Sequence, residues 1–175
     1  IDDIDPDYSL GEKERARRLA LERLGREGLL DLQKELPLPV LPYDIAVISA
    51  SDAAGFRDFE RHLHENVYGF AFRTELFPAL MQGAEAPASI SAALGEVAAS
   101  DRKFDIVVIL RGGGSKTDLS CYDDYGLAAV IARFPLPVFT AIGHDQDCHV
   151  CDLVAMSYRK TPTAMADELV SMYAD

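Results

Sequence analysis

The chain has 175 residues, 49% hydrophobic and 26% charged, with a net charge of −12, which suits one soluble globular domain with a real core. That acidity excludes a nucleic-acid binder relying on a broad basic face of its own; between Ile45 and Ser100 only Arg57, Arg61 and Arg73 are basic besides histidines. No apolar run reaches the roughly 20 residues of a membrane span and the start IDDIDPDYSL is no signal peptide, while three cysteines are too few for a disulfide framework, so a reducing cytoplasm is the default.

The opening residue is not Met, which reads as a fragment or a processed product. From Gly11 to Glu27 a charged segment with Leu19, Ala20 and Leu24 on one stripe predicts a solvent-rimmed helix. Pro37, Pro39 and Pro42 then mark a short extended linker. Ile45 to Ser49 predicts a buried strand, and Ala53 to Asn66 a helix with Phe56, Phe59 and Leu63 in line. Phe70 to Phe77 alternates as a strand closed by Pro78, and Ala86 to Ala99 is a helix turning Ile90, Leu94 and Val97 inward. Asp105 to Leu110 is apolar without alternation, the pattern of a strand buried on both faces. A helix over 118–134, a strand over 136–142 and two helices over 148–157 and 162–174 complete the chain.

Strands alternating with helices predict an α/β fold. It is an open, mostly parallel sheet of about four strands with helices on both faces, Rossmann-like or flavodoxin-like. Right-handed crossovers put every strand's C-terminal end on one edge, where open α/β sheets bind ligands. Four segments meet that edge: Ser49 to Asp52, Pro78 to Gly83, Arg111 to Ser115, and Gly143 to Asp147.

Two of these carry chemistry. Gly112, Gly113 and Gly114 follow a core strand directly, and glycines let backbone N–H groups wrap an anion without interference from Cβ. Arg111 at the lip and Ser115 beyond would complete a phosphate cradle; a plain strand-to-helix turn with a surface arginine is the competing reading. In Gly143-His144-Asp145-Gln146-Asp147, a histidine between carboxylates is equipped for proton transfer near neutral pH. On its own, the same segment reads as a loop histidine followed by a helix cap at Asp147. Convergence of both loops on one edge favours a site.

Other candidates are weaker on residue chemistry. Asp58, inside a helix, reads as solvated surface. Cys148 and Cys151 with His149 suggest zinc, but four ligands would be needed and only Cys121 remains elsewhere, so helix packing is the better account. Thr161-Pro162-Thr163 is helix-start grammar whose hydroxyls could also reach a phosphate. Ser49 and Ser51 either touch a ligand or simply end a strand.

Taken together, LPVLPYDIAVISASDAAGFRDF, LFPALMQG, DIVVILRGGGSKTDL, FPLPVFTAIGHDQD and KTPTAMADELV, in this order between Leu36 and Val170, resemble the large subunit of exodeoxyribonuclease VII. The resemblance implies hydrolysis of phosphodiester bonds in single-stranded DNA from either end, giving short oligonucleotides, and a small partner subunit bound through a C-terminal region absent here. It implies that residues 1–36 are a helix and linker leaving a missing N-terminal OB-fold domain, and that 37–175 are the catalytic α/β domain. Catalytic roles carry over onto Asp58, Arg111, His144 and Asp147, which raises Asp58 above surface. Gly112, Gly113, Gly114 and Ser115 carry over as the phosphate-binding loop, with Asp118 shaping it. The cofactor stays open between none and magnesium held by Asp58 and Asp147. Tyr122-Asp123-Asp124 departs from the Phe-Asn-Asp or Phe-Asn-Glu expected there, and Cys148 and Cys151 replace a Thr and a small apolar residue. The rival functions are a non-catalytic nucleotide or phosphate binder and an assembly module.

Overall fold

The structure, a computed structural model, describes residues 6–38, 44–50, 54–66, 68–69, 71–111, 119–143 and 149–174. Helix α1 (Pro6–Arg26) is followed by a 3-10 turn at Gln33–Glu35, strand β1 (Asp44–Ser49) and helix α2 (Ala54–His64). Then come β2 (Arg73–Pro78), α3 (Ala86–Ala99), β3 (Ile106–Leu110), a 3-10 helix at Ser120–Asp123 and α4 (Tyr125–Arg133). The chain finishes with β4 (Val138–Ala141), α5 (Val150–Val154), β5 (Ser157–Tyr158) and α6 (Pro162–Ala174).

The strands form one sheet in the order β2-β1-β3-β4-β5, every pair parallel. Parallel neighbours need crossovers, which cover both faces with helices, and the central strands β1, β3 and β4 accordingly lack polar alternation, whereas the edge strand β2 keeps it. All five residues of β3 are at most 1% exposed. On one face Ala46, Ile48, Val107 and Ile109 pack with Leu24 of α1, Leu94 of α3, Leu127 of α4 and Val150 of α5. On the other, Ile45, Val47, Val108 and Leu110 pack with Phe59 and Leu63 of α2 and with Met165 and Leu169 of α6. Apart from Ala46, each such side chain contributes about 1.5–3 kcal/mol on burial. The exposed ion pair of Arg23 with Glu27 contributes at most about 1 kcal/mol, so the two apolar layers decide the fold.

The α/β class and parallel sheet agree with the sequence pattern; the strand count is five rather than about four. The missed strand, β5, is two residues long and pairs with Phe139 and Thr140; so short an edge strand leaves no period to read. The helix expected over 118–134 is broken in its described part. Asp124 is extended (φ −70°, ψ 126°) and its carboxylate accepts the Leu127 N–H at 2.8 Å, so it caps α4 instead of continuing a helix. Just before it, Tyr122 is 1% exposed and donates its hydroxyl hydrogen to the Met81 carbonyl. The segment expected to be helical over 148–157 is shorter, Val150–Val154, with His149 at the cap position. Leu19, placed on the inward stripe, is 55% exposed; Ala20 and Leu24 are the buried pair. Thr161 does cap α6, accepting the Ala164 N–H at 3.1 Å.

Gln33 was not singled out by sequence, yet it is fully buried. Its amide donates to the Phe134 and Leu136 carbonyls at 3.1 and 3.0 Å, and its oxygen accepts the Val138 N–H at 2.7 Å. The segment after α1 is thereby tied to the start of β4. Replacing Gln33 by Leu removes the partner of two buried backbone groups and one partly buried one, so chemical denaturation should show a loss of about 3 kcal/mol. A loss below about 1 kcal/mol would show that these groups find other partners.

Candidate active site at the sheet edge

The order β2-β1-β3-β4-β5 reverses direction between β1 and β3. From β1 the chain moves outward through α2 to β2, and from β3 it moves the other way to β4. Such a switch point leaves a crevice beyond the strand ends, since the two outgoing connections diverge to opposite faces. Ser49 ends β1 there and Arg111 follows β3. Ser49 is fully buried, and its hydroxyl oxygen has no hydrogen-bond partner among the described residues.

Arg111 is half-buried. Its N–H donates to the Ala141 carbonyl at 2.9 Å, one residue beyond the paired strands, which fixes its backbone to β4. Its guanidinium reaches Gly143: a Cβ placed on that glycine would lie 3.9 Å from Arg111 Nη1 and 3.5 Å from the Lys160 carbonyl oxygen. The exit of β3, the exit of β4 and the second residue after β5 therefore meet at one place. Burial pushes the phenol of neighbouring Tyr122 well above its usual range, and the Arg111 charge acts in the opposite direction.

The sequence candidates fare differently. Arg111 stands at the crevice, as the topology requires. Asp58 sits on α2, just over one turn from its start, with its side chain 50% exposed and its carboxylate 3.4 Å from Arg61 on the same helix. Gly112, Gly113, Gly114, Ser115, Asp118, His144, Asp147 and Cys148 lie outside the described residues, as do Ser51 and Asp52. Cys151 is fully buried in the core, and burial pushes its thiol upward, away from the thiolate that binds metal. Among the described residues, no three His, Cys, Asp or Glu side chains converge as a metal site. With Asp58 facing Arg61 rather than another carboxylate, the described residues do not by themselves fit magnesium.

Two residues at this edge have roles that the sequence did not assign. Asp152, 2% exposed, accepts the His149 N–H at 2.9 Å and the Thr140 hydroxyl hydrogen at 2.7 Å. Asp123 accepts the Val150 N–H at 2.9 Å, and both its oxygens lie 3.3 Å from His149 Nδ1. An acid three residues after a cap position is capping-box spacing, a signal that was present for Asp152. Asp123 had none, because its partners lie 26 and 27 residues ahead.

Several cations elsewhere are engaged. Arg73 and Arg102 both pair with Asp44 at the opposite sheet edge, Arg159 with Glu168, and Arg17 with Asp123. Gly143 has φ of 93°, a conformation that favours glycine. Space is not limiting there, since 3.5 Å is an ordinary contact. Gly143→Ala should therefore cost about 1–2 kcal/mol through backbone strain alone. Urea denaturation measures it, and an unchanged midpoint would refute the strain.

The comparisons with known proteins agree with this geometry. The family model described as exonuclease VII, large subunit, matches residues 29–175. Among similar proteins are the exodeoxyribonuclease 7 large subunits of Campylobacter jejuni subsp. jejuni (39% identical over 155 residues) and Cyanothece sp. (37% over 158 residues). Each alignment covers 88% of this chain, and 39% and 37% of the respective relative. That of Nostoc sp. is 36% identical over 153 residues, covering 87% of this chain and 36% of its own. The chain thus spans about two fifths of the length of these curated relatives. A parallel sheet with Arg111 at its switch point and a family match over 29–175 lead to one assignment: the chain belongs to the exonuclease VII large-subunit family.

Proposed function

We propose that this chain is the catalytic core of a nuclease that hydrolyses phosphodiester bonds of single-stranded DNA from either end, releasing short oligonucleotides. The observation carrying this reading is Arg111, held at the switch point with its guanidinium against Gly143, the residue that leads into His144. An anion entering the crevice meets a cation fixed by strand pairing, next to a glycine triplet. The family name of the relatives supports DNA as the source of that anion.

In the proposed mechanism, Arg111 and the N–H groups of Gly112, Gly113, Gly114 and Ser115 hold the scissile phosphate. They stabilise the charge that grows on its oxygens as water attacks phosphorus and the ester P–O bond breaks. His144 transfers a proton, either taking one from the attacking water or giving one to the leaving oxygen. Asp147 orients His144. Asp58 positions the water. The steps here need only the chain's own groups.

The acidic surface and the pairing of Arg73, Arg102, Arg17 and Arg159 with carboxylates support a division of labour. Affinity for unpaired DNA then comes from outside this segment, from an OB-fold whose aromatic platforms and basic groove suit single strands. A small subunit completes the assembly. No helix among the described residues is long and apolar enough to cross a membrane; a cytoplasmic location fits the cysteine usage.

The test uses labelled single- and double-stranded DNA with the large subunit carrying this segment and its small partner, with and without EDTA. His144→Ala should lower cleavage by about 10²–10⁴ while folding is kept, and near-normal cleavage would remove His144 from the mechanism. Arg111→Lys should lose on the order of 10²-fold, because an ammonium does not reproduce the two-point guanidinium fork. Nucleotide binding with no cleavage by the assembly would favour a phosphate-binding module instead. Loss of activity in EDTA, restored by magnesium, would add the metal to the mechanism.

A further inference from the structure

We propose that the cavity along the β5 edge, lined by Lys34, Tyr158, Arg159 and Lys160, holds the stretch of single-stranded DNA adjoining the phosphate at Arg111. The inference rests on the nuclease reading for the identity of its ligand, and its test reads binding apart from cleavage.

The cavity, of about 460 Å³, is walled by α5, by β5 with the two residues after it, and by Lys34 of the 3-10 turn. Three cations, Lys34, Arg159 and Lys160, line it against one carboxylate, Asp152. Asp152 is 2% exposed and accepts from the Thr140 hydroxyl and the His149 N–H. In three other cavities among the described residues, carboxylates equal or outnumber the lysines and arginines. On a chain of net charge −12, a local excess of positive charge marks where a polyanion is drawn in rather than repelled.

The three cations are held differently. Lys34 Nζ donates to the Leu153 and Ala155 carbonyls at 2.8 and 3.3 Å, so neutral groups fix the ammonium without cancelling its charge. Arg159 is paired with Glu168 and adds little. Lys160 is exposed to solvent. Beside them Tyr158 is 37% exposed. An open aromatic ring among cations is the combination that binds unpaired strands, since bases stack on the ring while the cations track the backbone.

Register joins this cavity to the crevice. β5 pairs in parallel with Phe139 and Thr140 of β4, and the Arg159 N–H extends the pairing by donating to the Thr140 carbonyl at 2.9 Å. Lys160 therefore leaves the sheet beside the exit of β4. Its carbonyl oxygen and the Arg111 guanidinium flank Gly143, at 3.5 and 3.9 Å from a Cβ placed there. A strand held at Arg111 reaches Lys160 by passing that one glycine. Partner-strand addition at this edge is the poorer account, because β5 is two residues long and offers few backbone groups for pairing. The contact is local, and broad affinity still comes from outside the segment.

The test measures binding of a cleavage-resistant phosphorothioate oligothymidylate by the large subunit with its small partner, over a salt series, beside cleavage of the ordinary oligonucleotide. Lys160→Gln should weaken binding about 5- to 10-fold and lower the slope of log affinity against log salt by about 0.7, one phosphate contact on a single strand. Tyr158→Ala should weaken it about 10-fold with the slope unchanged. Lys160→Arg and Tyr158→Phe should bind within about twofold of wild type, and KM should follow the binding loss while kcat stays within about twofold. Unchanged affinity and slope in both Lys160→Gln and Tyr158→Ala overturns the inference, whatever the wild type cleaves. Loss of the small partner with DNA affinity intact assigns this edge to a protein contact and also overturns it. An assembly that binds through Lys160 but does not cut removes the nuclease reading and leaves the DNA groove standing. If Tyr158→Ala does not fold, the salt slope of Lys160→Gln, at an exposed position, decides alone.

Discussion

The pairing of β3 with β1 on one side and β4 on the other is the constraint from which the rest of the molecule follows. Its five residues are buried on both faces, so the chain cannot turn within the sheet and must leave it at the strand ends. Because all neighbours are parallel, those exits share one edge. Arg111 is the first residue past the apolar run and remains in register, its N–H still bonded to Ala141. A long, flexible cation is thereby given a fixed root. Its reach to Gly143 is a consequence of register, and register is enforced because a one-residue slip would turn every core side chain to the wrong face.

An acidic chain would be expected to suffer from self-repulsion, yet several of its carboxylates serve as backbone acceptors. Asp124 caps α4, Asp152 and Asp123 take the first two N–H groups at α5, and Asp105 accepts the Asp44 N–H at 3.0 Å. Hydrogen bonds to charged groups contribute about 1.5–3 kcal/mol, against at most about 1 kcal/mol for an exposed ion pair. At these positions, therefore, negative charge works for the fold. Its remaining cost falls on any polyanionic ligand, which fits the proposed division of labour.

Legibility in the sequence followed the physics of each feature. Ile106 to Leu110 could be read as a central strand because continuous burial erases alternation, and α3 because Ile90, Leu94 and Val97 recur with helical spacing. Arg111 could be placed because strand direction in a parallel sheet leaves one edge for its exit. The short strand β5, the break at Asp124 and the buried Gln33 could not. Each depends on partners far along the chain: Phe139 and Thr140 for β5, Met81 for the ring beside the break, and Phe134 and Val138 for Gln33. Asp58 shows the limit from the other side. Its place on α2 was readable, but its pairing with Arg61 and its half exposure belong to the folded surface.

By itself the sequence determined the parallel α/β class, the edge that collects the exits and the identity of the cation there. Those are consequences of burial periodicity and of chirality in crossovers, which act along the chain. Only the tertiary structure decided the strand order, and with it the switch point between β1 and β3. It alone brought Arg111 to Gly143, and Asp123 to His149 across 26 residues. Those contacts arise from which helix packs on which face, a choice made by volumes and hydrogen bonds between distant segments that no local pattern encodes.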